Sequence, residues 1–88
     1  MERLSDPGAP GKVLDLLCRM LDLTDDQVAG RAGMSRATVN NKRNGRSEVT
    51  ARDLVPLADA LDVDVEIFLL SQAEAGMWLL RNRTRAFA

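Results

Sequence analysis

The sequence predicts an all-α fold, one compact five-helix domain followed by a short C-terminal extension. Three observations predict it. Apolar residues recur at helical spacing, as in Leu14, Leu17, Cys18 and Leu21 at i, i+3, i+4 and i+7. Helix-start residues, Thr24, Ser35 and Thr50, stand before successive segments. Helix-stop signals, Gly33 and Asn44-Gly45, close two of them.

Residues 1–11 contain Pro7, Gly8, Pro10 and Gly11 and are expected to form a flexible arm. The helical domain is expected over 12–75 and the extension over 76–88. The first helix is predicted over 12–22, with Asp15, Arg19 and Asp22 on its wet face. Cys18 lies on the apolar stripe and is expected to be a small buried hydrophobe, not a redox or metal centre.

The second helix is predicted over 25–32. Thr24 and Gln27 form a capping box, and Leu23 and Val28 have the spacing of a hydrophobic staple. Asp25 and Asp26 suit the positive end of the helix dipole. Gly33 supplies a left-handed residue at low cost. Ser35 caps the third helix, predicted over 36–43, with Met34 and Val39 repeating the staple.

After a loop at 46–49, a fourth helix is predicted within 50–61, with Leu54, Leu57, Ala58 and Leu61 as its buried stripe. Proline inside a helix costs about 3 kcal/mol. The regular helix is therefore expected to begin near Asp53, placing Pro56 in its first turn. Asp64 caps a fifth helix, with Val63 and Phe68 as staple, and Ile67, Phe68 and Leu70 complete the core. Gly76 is expected to interrupt the chain. Met77, Trp78, Leu79 and Leu80 then form an apolar tetrad ahead of a basic tail. Two readings of the tetrad stay open, packing on its own domain and dimerisation, since Trp is enriched at interfaces.

With 88 residues the chain makes one small domain. A domain of this size buries only about 60% of its unfolded surface, so oligomerisation would help its stability. The absence of an 18-residue apolar run argues against a membrane span, and no basic start followed by an apolar core suggests a signal peptide. The single Cys18 leaves no internal disulfide and fits a reducing cytoplasm. There is no His, the commonest catalytic base and metal ligand. There is also no Gly-rich phosphate loop and no metal-ligand cluster, so no enzyme activity, catalytic residue, metal or cofactor is expected.

The net charge of −1 argues against nucleic acid, but the charge is unevenly spread. Residues 31–52 carry six Lys or Arg and one Glu, whereas 53–70 carry five acids and no base. The positive segment contains the third helix, in which the only sizeable apolar residue is Val39. Arg36, Ala37, Asn40 and Asn41 share one face of it. A helix held by its Val39 side and offering Arg and Asn outward suits the DNA major groove, where Arg can fork onto guanine and Asn onto adenine.

These residues resemble a family, the Cro/CI-type, XRE-like helix-turn-helix repressors. The matching residues are Leu23-Thr24, Val28-Ala29, Gly33-Met34-Ser35, Val39, Asn44-Gly45, Leu54, Leu57-Ala58, Leu61 and Val63. The likeness covers about 11–70, with the motif at 24–45. It implies a lambda-repressor-like fold. One position departs from the pattern. The family usually carries Gln where this chain has Asp25, and that Gln donates to a phosphate. A carboxylate there is expected to repel phosphate and to shift the contact to Thr24, Gln27 and the helix-end amides.

The expected function is sequence-specific regulation of transcription by a repressor that binds a palindromic operator on double-stranded DNA as a homodimer. Arg36, Ala37, Thr38, Asn40 and Asn41 are the expected base contacts. Thr24, Gln27, Ser35, Arg43, Asn44, Arg46 and Arg52 are the expected backbone contacts, and Met77, Trp78, Leu79 and Leu80 the dimerisation residues. The alternative is a helix-turn-helix module that binds a protein partner, such as an antitoxin or polymerase-binding adaptor. The expected location is the cytoplasm of a bacterium, with the gene bacterial or phage-encoded.

Overall fold

A computed structural model describes residues 9–87 of the chain, with side chains over 10–82. The described residues form five α-helices and one 3-10 turn: α1 (Ala9–Leu21), α2 (Asp25–Ala32), α3 (Arg36–Arg43), α4 (Ala51–Leu61), the 3-10 turn (Val65–Leu69) and α5 (Gln72–Phe87).

The helix α1 begins at Ala9, three residues ahead of the expected start. Pro10 does not prevent this, because the first turn of a helix has no use for its missing N–H. The arm expected over 1–11 therefore falls partly on α1, and residues 1–8 lie outside the described residues. Gly11 is buried against the end of α3, where a Cβ would stand 2.6 Å from the Lys42 carbonyl oxygen. Glycine here permits a backbone approach that no side chain allows. Asp22 ends α1 in the left-handed region at φ 58°, and the Leu23 N–H donates back to the Cys18 carbonyl at 2.9 Å.

Three expectations about the later helices are corrected. The helix α4 is regular from Ala51, and Pro56 lies inside it. The start is fixed by a capping box in which the Thr50 N–H and hydroxyl donate to Asp53 Oδ2 at 2.8 and 2.9 Å. Proline removes one helical hydrogen bond, to the carbonyl four residues back. That residue, Arg52, is exposed, so water can serve its carbonyl. Gly76 does not interrupt the chain either. The helix α5 runs through it from Gln72, capped by Ser71, whose hydroxyl accepts from the Glu74 N–H at 3.1 Å. The fifth expected helix is only the 3-10 turn at Val65–Leu69.

The core is shared by every element. Val13, Leu14, Leu17 and Cys18 come from α1, Val28 and Ala29 from α2, and Val39 from α3. Leu57, Ala58, Ala60 and Leu61 come from α4, Ile67 and Phe68 from the 3-10 turn, and Ala75 and Leu79 from α5. The helix α2 packs on α3 and α4, while α5 lies along α1. Thus α1 and α2 support α3 from behind. Among the described residues no helix is long and apolar enough to cross a membrane.

Candidate nucleic-acid interface

The turn between α2 and α3 is set by local chemistry. Thr24 Oγ1 accepts from the Gln27 N–H at 3.2 Å, and Gln27 Oε1 accepts from the Thr24 N–H at 2.9 Å, closing the capping box. Gly33 follows at φ 71°, and the Met34 N–H donates to the Ala29 carbonyl at 3.0 Å. Ser35 Oγ then accepts from the Thr38 N–H at 3.0 Å and donates to Thr38 Oγ1 at 2.8 Å. Both caps use their hydroxyl groups inside the protein. Thr24, Gln27 and Ser35 thus lie at the starts of α2 and α3, with Gln27 Nε2 making no hydrogen bond among the described residues.

An eight-residue helix with one buried apolar side chain needs other anchors, and α3 has them in its cations. Lys42 is buried at 8% exposure, and its Nζ pairs with Asp53 Oδ2 at 2.8 Å and donates to the Glu48 carbonyl at 2.9 Å. This ties the end of α3 to the following loop and to the first turn of α4. Arg43 reaches the other way. Its Nε and Nη2 lie 2.9 and 2.8 Å from Asp15 Oδ1 on α1, and its Nη1 lies 2.6 Å from Asp25 Oδ1 on α2. One guanidinium therefore joins α1, α2 and α3, using the fork geometry that only Arg provides.

Asp25 completes the cluster. Its Oδ2 accepts from Asn40 Nδ2 at 2.9 Å, and Asn40 Oδ1 accepts from Asn44 Nδ2 at 3.0 Å. The Asn40 hydrogen bond, followed by those from Arg43, holds the Asp25 carboxyl below its usual pKa despite burial. Burial works against the Arg43 charge, but the bonds to Asp25 and Asp15 outweigh it and raise the pKa. Burial likewise works against Asp53, and the bonds from Lys42 and Thr50 outweigh it and lower the pKa. Burial pushes the Cys18 thiol up to about 11, so it stays a protonated hydrophobe.

The expected contact residues are placed as follows. Asp25 faces Arg43 and Asn40, so its charge is balanced within the protein. Arg43, at 15% side-chain exposure, points into the helix junction. Both Asn40 and Asn44 spend side-chain atoms on neighbours. Two of the six cations in 31–52 are thus internal, and Arg31 donates to the Ala60 carbonyl at 3.2 Å. Arg36, Arg46 and Arg52 are exposed and make no ion pair among the described residues. Ala37 is exposed, and Thr38 and Asn41 are half-buried on the same helix. By helical spacing Ala37 and Asn41 lie opposite the Val39–Lys42 side.

Sequence reasoning missed Asp15, Lys42 and Asp53 as structural ions. A signal for Lys42 and Arg43 was present, because they follow Val39 at i+3 and i+4 and so share its inward face. The expected dimerisation tetrad is divided. Leu79 is in the core and Trp78 is half-buried against it, whereas Met77 and Leu80 are each 56% exposed on α5.

Two capped helices joined by a left-handed glycine, the second anchored from behind with Arg, Ala and Asn outward, define a helix-turn-helix domain. A helix-turn-helix family model matches residues 15–68, and the chain belongs to that family, the XRE-type, Cro/CI-like proteins. The family is one of DNA-binding transcription regulators. The match begins at Asp15 in α1 and ends at Phe68, so α5 lies beyond it. No curated protein and no solved structure matches the chain.

Proposed function

We propose that this protein is a sequence-specific transcriptional repressor that binds a palindromic operator as a homodimer. The observation that carries the reading is the outward side of α3, where Ala37 and Asn41 lie opposite the anchored Val39–Lys42 side and Arg36 is exposed, beside exposed Arg46 and Arg52. Arg36 and Asn41 make bidentate contacts to base edges, Ala37 meets a thymine methyl, and Thr38 flanks them. Gln27, Arg46, Arg52 and the first helix-end amides after the Thr24 and Ser35 caps take phosphates. Met77 and Leu80 supply the apolar surface for pairing of two copies, which sets two α3 helices about 34 Å apart in successive major grooves. Repression, as opposed to activation, rests on the family.

The test is selection of bound sites from random duplexes, followed by affinity measured against salt. With Arg46 and Arg52 of each protomer neutralising phosphates, a dimer should give a log–log salt slope of about −4. Asn41→Ala should relax preference at one base pair per half-site and leave the slope nearly unchanged. Arg46→Ala should weaken binding to every sequence and flatten the slope by about one unit. Full-length protein should sediment as a dimer that Leu80→Glu dissociates. Absence of any salt-sensitive DNA binding would instead favour a module for a protein partner, a reading supported by the exposed acids Asp59, Asp62, Asp64 and Glu66.

A further inference from the structure

Bidentate recognition of adenine by an asparagine requires its Nδ2–H and Oδ1 to face the same base edge. In Asn40 one N–H and one oxygen lone pair are already engaged, which fixes the plane of the amide. Its Nδ2 donates to Asp25 Oδ2 at 2.9 Å, and its Oδ1 accepts from Asn44 Nδ2 at 3.0 Å. The Asp25 acceptor cannot drift to follow the amide, because Oδ1 of the same carboxylate lies 2.6 Å from Arg43 Nη1. Arg43 is in turn held by Asp15 Oδ1 at 2.9 and 2.8 Å. A hydrogen bond to an ionised, part-buried acceptor is roughly twice as strong as a neutral one. Turning the Asn40 amide to a base edge breaks that bond and strips a donor from Asp25.

From this arrangement we infer that Asp25 is a specificity-determining positioning residue, which clamps the Asn40 amide onto α2 and so withholds it from base reading. The inference rests on the DNA-binding reading of α3. It assigns adenine recognition on this helix to Asn41 and makes Asn40 a reader held in reserve. Loss of the Asp25 carboxylate frees the amide and adds a base preference that the native protein lacks.

The test compares the full-length protein with Asn40→Ala, Asp25→Ala and the double variant on single-base variants of a duplex selected by the native protein. In the native background Asn40→Ala should alter no base preference beyond about twofold, against the roughly 5- to 150-fold of a working bidentate contact. Asp25→Ala should gain a preference of that larger size at one base pair per half-site, and the double variant should lose it. The role is overturned if Asn40→Ala alone erases a preference, a result that needs no Asp25 variant to fold. It is also overturned if a folded Asp25→Ala protein keeps the native pattern across the panel. A second measurement is independent of DNA. In nitrogen-15 spectra of the free protein, the Asn40 side-chain amide and Arg43 Nε–H resonances should move in Asp25→Ala while backbone amides of α5 stay in place. Unmoved Asn40 and Arg43 resonances overturn the clamp itself. If these resonances shift but no variant binds DNA, the DNA reading fails and takes the specificity role with it.

Discussion

Replacing Arg43 with alanine tests whether α3 is held by charge. The guanidinium bridges Asp15 and Asp25 at 2.8 and 2.6 Å, with side-chain exposures of 15% for Arg43, 27% for Asp15 and 18% for Asp25. Its loss leaves two carboxylates at one junction of three helices. Asp15 keeps Arg19 at 2.9 Å, but that partner is 73% exposed and screened by water. Breaking a fully buried pair from one side costs about 3–5 kcal/mol. The partial exposure here lets water offset some of this, so about 2–3 kcal/mol is expected. A chain of this length has roughly 4–13 kcal/mol in total. The melting temperature should therefore fall by about 10–20 °C, at roughly 4–8 °C per kcal/mol. Urea titration followed by helical circular dichroism measures the deficit directly. The deficit should shrink as pH falls toward 4, because protonating the Asp25 carboxyl left without its guanidinium relieves both repulsion and desolvation. A variant that melts within about 2 °C of the native protein at pH 7 would refute the reasoning, since the pairs would then contribute no more than surface ion pairs do.

Native Asp25 and Asp53 both titrate below their ordinary range. Their folded values lie below the unfolded value of about 3.9, so their contribution is complete above about pH 4 and is lost as pH falls through the folded values. Equilibrium unfolding between pH 7 and 2 should show that decline, which Asp25→Asn combined with Asp53→Asn should flatten. Gly33→Val should cost more than about 1 kcal/mol, because φ 71° is costly for a β-branched residue, and thermal melting will show it. Gly11→Ala should destabilise the fold although alanine is the better helix former, because its Cβ would meet the Lys42 carbonyl oxygen at 2.6 Å. Amide exchange should then report loosening at the end of α3.

What the sequence reveals well is written in short-range chemistry. The bounds of α2 and α3 follow from Thr24, Gln27, Gly33, Ser35 and Asn44, all acting within four residues of the atoms they satisfy. Pro56 misled because its intrinsic cost was weighed without the Thr50–Asp53 capping box, which fixes the start of α4 at Ala51. Gly76 misled in the same way, because α5 is held along α1 by Ala75 and Leu79 and carries the glycine within it. The electrostatic cluster was the least legible part. Arg43 meets Asp15 and Asp25 across 28 and 18 residues of sequence, and a count of charges along the chain cannot tell a paired cation from a free one. The segment with the greatest positive excess therefore overstated the charge available at the surface.

The internal pairing of Lys42 and Arg43 bears on how such a protein would find its target. Attraction to phosphate is blind to sequence and acts equally on every stretch of a chromosome. Each surface cation lengthens the stay on the operator and on millions of irrelevant positions alike. Occupancy of one operator among roughly 10⁶–10⁹ competing positions depends on the ratio between the two stays. By folding two cations inward, the domain keeps their structural grip on α3 without adding to its general adhesion to DNA. A variant that returned either cation to the surface would spend less of its time unbound, while the ratio of specific to general binding would stay as it was.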